Sequence, residues 1–143
     1  MSPPVKTRVL FVCIGNSCRS QMAEGFARAY GEDVMIAASA GLAPALGVAQ
    51  DTIRTMDEKN IDVHDQFPKG IQHLGRAAQF DLTINMSGFG LPDDVTGPTR
   101  TWDVEDPIGE DYETYCKVRD QIEGLVMSLI LELRRADKGG ARL

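Results

Sequence analysis

The segment from Arg8 to Cys13 (RVLFVC) is an almost continuous apolar run rich in valine. Such a run predicts a strand that is buried on both faces of a sheet. The residues that follow it, 14–18, read Ile-Gly-Asn-Ser-Cys, a composition typical of a tight loop. Behind this loop, apolar residues recur at helical spacing, which predicts a helix from about Cys18 to Tyr30. A buried strand that leads through a short loop into a helix is typical of an α/β fold.

The rest of the chain continues this alternation. Further strands are predicted over residues 34–39, 80–86 and 99–102, and further helices over 50–59, 70–78 and 112–135, of which 70–78 has the weakest pattern. Strands that alternate with helices predict a parallel sheet covered by helices. No repeat or linker interrupts the pattern, so we predict a single domain over residues 1–143, frayed at 1–5 and 137–143.

The charge balance excludes some classes of partner. The chain has 15 Lys and Arg against 21 Asp and Glu, a net charge of −6. A general nucleic-acid binder or an anionic-membrane binder needs a basic face, so neither is expected. No apolar stretch reaches the ~20 residues of a membrane helix, and the apolar run near the N-terminus is short for a signal peptide. We therefore expect a cytoplasmic protein.

The cysteines and histidines give little support for a metal. Three cysteines in a chain of this length do not build a disulfide scaffold. His64 and His73 are nine residues apart, and the chain contains neither an HExxH nor a CxxC motif. We expect both histidines at the surface, Cys116 in the core beside the apolar face of the last helix, and no metal or other cofactor.

The loop after the first strand has the pattern of an oxyanion site. Ligands of α/β sheets bind beyond the carboxyl ends of the strands. The backbone between Cys13 and Arg19 can curl so that its N–H groups point inward, and Gly15 permits a tight path. The next helix adds its positive N-terminal end. Such a cradle fits a tetrahedral oxyanion, which Arg19 can hold with two parallel hydrogen bonds.

The same groups favour a reactive cysteine. Inward N–H groups, a helix N-terminus and a nearby arginine all stabilise a thiolate, so Cys13 is predicted to be a nucleophile. The hydroxyls of Ser17 and Ser20 can donate to the thiolate or to the loop, and Asn16 tolerates unusual backbone angles. A cysteine with an arginine six positions later is a weak signal alone. The same pattern would arise if Cys13 were a buried thiol at the end of the strand and Arg19 a surface residue. It would also arise if Cys13 and Cys18 bound a soft metal ion. The strand–loop–helix context favours catalysis.

A nucleophilic reaction at phosphorus needs a proton donor for the leaving oxygen. An acidic loop follows the fourth predicted strand, at the same edge of the sheet as Cys13. Three acidic residues of this loop are candidates for the role: Asp103, Glu105 and Asp106. The alternative interpretation is that all three are solvent-exposed charges of the loop without a catalytic role. Because Pro107 keeps the preceding residue extended, Asp106 is the favoured candidate.

The segment from Val9 to Gly25 (VLFVCIGNSCRSQMAEG) strongly resembles the signature of the low-molecular-weight protein tyrosine phosphatases and of the arsenate reductases that share their fold. Three further motifs follow in the family's order, Ser39–Gly41, Phe80–Met86 and Asp106–Pro107. The resemblance implies a four-stranded parallel sheet flanked by helices on both faces, with a phosphate-binding loop after the first strand.

The resemblance also implies a role for each site residue. Cys13 becomes the nucleophile, Arg19 the phosphate clamp and Asp106 the general acid. Ser20 assists the thiolate, and Ser39 braces the loop together with Asn16. The loop that binds phosphate consists of Ile14, Gly15, Asn16, Ser17, Cys18 and Arg19.

Two activities follow from this resemblance. The first interpretation is a phosphatase that hydrolyses phosphoproteins or small phosphomonoesters through a phosphocysteine. The alternative is an arsenate reductase that uses Cys13, with Cys18 as a candidate second cysteine and with an external thiol. The stretch Met86–Pro92 lacks the two cysteines of thioredoxin-coupled reductases, which favours the phosphatase. However, Ile108 and Gly109 replace the aromatic residues that typically follow Asp-Pro in the phosphatases.

Overall fold

A computed structural model describes residues 5–74 and 79–138 of the chain. Its sheet has four strands in the order β2-β1-β3-β4, and all neighbouring strands are parallel. The strands are β1 (Thr7–Cys13), β2 (Met35–Gly41), β3 (Leu82–Asn85) and β4 (Thr99–Thr101). The predicted four-stranded parallel sheet is thus confirmed, and each predicted strand is present with ends shifted by a few residues.

Strand β1 lies in the middle of the sheet, as its continuous apolar run predicts. Its alternate side chains point to opposite faces because successive residues of a strand alternate. Val9 and Phe11 belong to the larger apolar core, while Leu10 and Val12 belong to the smaller one. Both cores therefore depend on β1, and its last residue, Cys13, is fixed at the carboxyl edge of the sheet.

Three α-helices pack on the face of Val9 and Phe11. They are α1 (Arg19–Tyr30), α2 (Gln50–Asp57) and α3 (Tyr112–Lys138). Helix α1 is buried from Arg19 to Ala27 because it is enclosed by the sheet and the other two helices. This enclosure holds the start of α1, and with it Arg19, in a fixed position beyond β1.

Helix α3 extends beyond its predicted end at residue 135 and includes Asp137 and Lys138. Arg134 holds this end, since its guanidinium pairs with Asp33 and donates to the carbonyl of Tyr30 at 2.7 Å. Residues 1–4 and 139–143 of the segments predicted to fray lie outside the described residues.

The opposite face of the sheet is covered by a 3₁₀ helix, Ile71–Leu74, and by loop residues such as Phe80 and Val95. This 3₁₀ helix is the described part of the helix predicted over 70–78, and residues 75–78 lie outside the description. Within residues 5–74 and 79–138, each helix is too short or too polar to span a bilayer.

Candidate active site

All four strands run in the same direction, so their carboxyl ends meet at one edge of the sheet. Cys13, Gly41, Asn85 and Thr101 end the four strands there. The loops that continue from these residues carry almost every predicted site residue. The structure therefore places these residues beyond the carboxyl ends of the strands, where ligands of α/β sheets bind.

The loop of residues 14–18 turns its carbonyl groups outward. The backbone amides of Leu42, Ala43, Ala45 and Ala49, in the segment that follows β2, donate to the carbonyls of Cys13, Ile14, Gly15 and Ser17 at 2.8–3.1 Å. In a planar trans peptide the N–H points away from the C=O. The N–H groups that follow these carbonyls, those of Ile14, Gly15, Asn16 and Cys18, consequently point away from that segment, as an anion cradle requires.

Gly15, which we expected to permit a tight path, has ordinary space around it, and a much closer approach to the loop backbone lies at Gly41. A Cβ at Gly15 would meet its nearest neighbour at 3.5 Å, an ordinary contact. A Cβ at Gly41 would lie 2.7 Å from the carbonyl oxygen of Ile14 and 2.9 Å from the amide of Asn16. The tight path of the loop thus depends on the end of β2. It also depends on Asn16, which adopts a positive φ of 52°.

Cys13 is 3% exposed, and its Sγ lies 2.8 Å from the hydroxyl of Ser20. The side-chain amide of Asn16 donates to the same hydroxyl oxygen at 2.7 Å. Because a hydroxyl has one hydrogen, accepting from Asn16 leaves Ser20 free to donate toward the sulfur. The structure therefore brings Cys13, Asn16 and Ser20 together, with the Ser20 hydroxyl in hydrogen-bond reach of the Cys13 sulfur.

Arg19 begins α1 and is 5% exposed. Its Nη1 donates to two backbone carbonyls, that of Met86 at 2.5 Å and that of Val104 at 3.0 Å. Nη1 carries two hydrogens, so both are used. Among the described residues, Nε and Nη2 make no hydrogen bond, although Nη2 lies 3.6 Å from the Asp106 carboxylate, so their edge can make a two-point contact with an oxyanion.

Asp106 is the acidic residue that contacts Arg19 in the described structure. Its Oδ2 lies 3.6 Å from Nη2 of Arg19, and its Oδ1 accepts from the backbone amide of Ile108 at 3.1 Å. All three acidic candidates, Asp103, Glu105 and Asp106, are exposed, so it is the ion pair with Arg19 that separates Asp106 from the other two. The carbonyl of Asp103 accepts from Gln121 on α3 at 3.0 Å, which directs this part of the loop toward the helix. Of the three acids, the geometry favours Asp106.

Cys18 lies at the start of α1 and is 2% exposed. Burial raises the pKa of its thiol to about 12, and the negative charge of a Cys13 thiolate acts in the same direction. Cys18 therefore stays protonated at neutral pH. The backbone carbonyl of Cys18 accepts from Met22 in the first turn of α1, and no side chain caps this helix.

A buried polar network behind the loop was not predicted from the sequence. Gln21 donates to the backbone carbonyl of Asn16 at 2.9 Å and accepts from Gln66 at 2.6 Å. The backbone amide of Lys69 donates to the side chain of Asn16 at 3.0 Å. These contacts explain how Asn16 keeps its positive φ, because both its backbone and its side chain are held.

Ser39 reaches this network through Glu24. The hydroxyl of Ser39 donates to Glu24 Oε1 at 2.5 Å, and the buried Glu24 carboxylate also pairs with Arg28 at 2.8 Å. Lys69 Nζ lies 3.9 Å from the same carboxylate, and burial lowers the pKa of Lys69. The resemblance implied that Ser39 braces the loop together with Asn16; here its hydrogen bond is to Glu24, which connects to Asn16 through Lys69.

The remaining histidine and cysteine positions lie away from this edge. Both histidines are exposed, as expected, and His64 Nδ1 lies 2.6 Å from Asp62. Among the described residues, exposed side chains of Asp57, Asp62 and His64 are close enough to share a cation, although exposed acidic groups commonly cluster without one. Cys116 is half-buried rather than fully in the core, and Thr55 donates to its sulfur at 3.5 Å.

Comparison with known proteins shows the family of the chain. Residues 8–90 match the family of low molecular weight phosphotyrosine protein phosphatases. A glutaredoxin arsenate reductase from Synechocystis is 37% identical over 130 residues, which cover 88% of this chain and 98% of that protein.

Solved structures give the same grouping. An arsenate reductase in its phosphate-binding state has a TM-score of 0.82 and 34% identity, and the match covers 89% of this chain and 98% of that one. A low molecular weight protein tyrosine phosphatase from T. tengcongensis has a TM-score of 0.75 and 29% identity, covering 90% of this chain and 100% of that one. The chain therefore belongs to the low molecular weight phosphotyrosine protein phosphatase family, in which its relatives include both arsenate reductases and phosphatases.

Proposed function

We propose that the protein is an arsenate reductase in which Cys13 attacks arsenate and an external thiol completes the cycle. The observation that carries the proposal is the 37% identity to the Synechocystis reductase across nearly all of that protein, combined with the Cys13–Arg19 loop. Similarity to arsenate reductases reverses the order of the two activities expected from the sequence. The glutaredoxin in the name of that relative supports an external thiol.

The first step forms an arsenic–sulfur bond. The Cys13 thiolate attacks arsenic while the loop amides and the free edge of Arg19 hold the arsenate oxygens. One arsenic–oxygen bond breaks, and the oxygen leaves as water after it takes a proton from Asp106. Arsenic remains in the +5 state at this point, so no reductant has yet been consumed.

The second step is the reduction. A thiolate attacks the sulfur of Cys13 and forms a disulfide, the arsenic–sulfur bond breaks, and its electron pair stays on arsenic, which leaves as arsenite. A pKa of about 12 keeps Cys18 neutral and makes it a poor attacker. The segment after β3, Met86–Leu91, contains no cysteine. An external thiol such as glutathione fits the attacking role better, and a second thiol then reduces the mixed disulfide.

Phosphomonoester hydrolysis is the second candidate, and the position of Asp106 favours it. The carboxyl group beside Arg19 can protonate an alkoxide or phenolate leaving group and then activate water against a phosphocysteine. Phosphate and arsenate have the same tetrahedral shape, so binding alone does not separate the two activities.

The proposal is tested by measuring both activities on one purified sample. Arsenate-dependent NADPH oxidation is followed with glutathione, glutaredoxin and glutathione reductase, and separately with thioredoxin and thioredoxin reductase. Hydrolysis of p-nitrophenyl phosphate is measured in parallel. We expect turnover in the glutaredoxin arm that Cys13→Ser abolishes, and none in the thioredoxin arm. Rapid hydrolysis without arsenate reduction in either arm would assign the protein to the phosphatases.

A further inference from the structure

The turn directly after β3 is held by its own side chains. Asn85 Oδ1 accepts from the backbone amide of Ser87 at 3.0 Å and from its hydroxyl at 2.7 Å. Asn85 Nδ2 donates to the carbonyl of Phe89 at 2.8 Å, and the amide of Phe89 donates to Ser87 Oγ at 3.0 Å. The Asn85 and Ser87 side chains are buried, 8% and 4% exposed. Four hydrogen bonds therefore fix a segment of five residues.

The residue types in this turn are unusual for their place. Asn is among the poorest strand formers, yet Asn85 ends a buried strand and pairs in register with Val12 of β1. A polar side chain at such a position costs free energy unless its hydrogen bonds are satisfied. Here they are satisfied within the turn, so the asparagine defines the course of the backbone.

Met86 lies between the two side chains and connects the turn to the active site. Its backbone amide donates to the carbonyl of Val12 at 2.8 Å, and its own carbonyl accepts from Nη1 of Arg19 at 2.5 Å. The direction of this carbonyl follows from the backbone angles that the Asn85–Ser87 contacts fix. Any rotation of this peptide would move the acceptor that holds the guanidinium.

We propose that Asn85 and Ser87 are positioning residues for Arg19. By holding the Met86 carbonyl, they keep Nη1 of Arg19 engaged and present the Nε–Nη2 edge to the oxyanion. This inference rests on the proposed oxyanion chemistry at Cys13, since the role proposed for Arg19 is to hold the bound oxyanion. It assigns a binding role to two side chains whose hydrogen bonds, in the described part of the chain, stay within the turn after β3.

The test measures the affinity for inorganic phosphate by isothermal titration calorimetry. Ser87→Ala removes the hydroxyl, Ser87→Thr keeps it, and Asn85→Leu removes the amide at similar volume. We expect Ser87→Ala and Asn85→Leu to weaken phosphate binding by about 3- to 10-fold, the range of one hydrogen bond. Ser87→Thr should bind like the wild type. Thr55→Val is the matched control because it removes a buried hydroxyl that contacts Arg119 and Cys116 on α3.

A double-mutant cycle with Arg19→Lys separates positioning from general damage. Lysine cannot make the same two-carbonyl contact, so Ser87→Ala should cause no further loss of affinity in that background. If the Asn85→Leu variant does not fold, the two Ser87 variants alone test the proposal. If the wild type binds phosphate, either of two results would overturn the inference. One is that Ser87→Ala lowers the phosphate affinity equally in the wild-type and the Arg19→Lys background. The other is that Thr55→Val lowers the phosphate affinity as much as Ser87→Ala does. Failure of the wild type to bind phosphate would instead contradict the proposed function, and the inference with it.

Discussion

The Arg19 guanidinium lies 3.6 Å from the Asp106 carboxylate, although the two residues are far apart in the sequence. Arg19 is buried, whereas the Asp106 side chain is 41% exposed. An anion held by Arg19 therefore sits beside the candidate acid, which remains accessible from the solvent. This one contact joins the binding half of the site to its proton-transfer half.

Replacement of Asp106 by Asn should separate these two halves. Without the acid, we expect reactions with poor leaving groups to slow by roughly 10²–10⁴-fold. Activated aryl phosphates should be affected less, because their leaving group needs no proton. Steady-state kinetics with alkyl and nitrophenyl phosphates measures the difference. Asp103→Asn and Glu105→Gln serve as controls. If one of them shows this pattern and Asp106→Asn does not, the general acid is that residue and not Asp106.

Replacement of Cys13 by Ser should abolish turnover and preserve binding. The cradle consists of backbone amides and Arg19, so phosphate affinity is expected to remain within about threefold, the lower end of the range for one hydrogen bond. Calorimetry with phosphate and both activity assays give the comparison. Measurable arsenate reduction or aryl phosphate hydrolysis by Cys13→Ser would exclude Cys13 as the nucleophile.

Cys18 should resist alkylation in the folded protein. Burial raises the pKa of this thiol to about 12, so at pH 7.5 almost none of it is thiolate, and only the thiolate reacts with iodoacetamide. Peptide mapping by mass spectrometry after brief alkylation should find Cys18 unmodified, while the urea-unfolded protein is modified at all three cysteines. Modification of Cys18 at the same rate in the folded and unfolded protein would contradict this assignment.

The pair of His64 and Asp62 should give stability a small pH dependence. The hydrogen bond to Asp62 raises the pKa of His64, so the pair contributes fully below about pH 6.5 and loses its contribution as the pH rises through the folded pKa. Asp62→Asn should lower the NMR titration midpoint of His64. It should also reduce the loss of thermal stability as the pH rises above about 6.5. An unchanged midpoint would show that the two side chains do not interact in solution.

Local patterns predicted the elements that build the site. The apolar run of β1, the small polar loop and the periodic face of α1 act over short distances, so they place Cys13 and Arg19 correctly from the sequence alone. The proline after Asp106 likewise favoured the acid that contacts Arg19 in the structure. Boundaries were less certain because helix ends depend on distant partners, as the pairing of Arg134 with Asp33 illustrates.

Other features required the fold. The carbonyls of Met86 and Val104 that hold Arg19 lie 67 and 85 residues away along the chain, and a backbone carbonyl has no sequence signature. The close approach at Gly41 was likewise not predicted, since the sequence drew attention only to Gly15 in the loop itself. A signal did exist in the uncharged, Ala- and Gly-rich stretch of residues 35–49, which supplies the amides that turn the loop carbonyls outward.

The proposed cycle is tested most directly by mass spectrometry of the enzyme trapped between its two steps. The purified protein is incubated with glutathione and arsenate in the absence of glutaredoxin, and a parallel sample contains phosphate in place of arsenate. We predict one glutathione in disulfide linkage to Cys13, formed only with arsenate. A Cys13–Cys18 disulfide without glutathione, or a Cys13 thiol that stays free in the presence of arsenate, would contradict reduction by an external thiol.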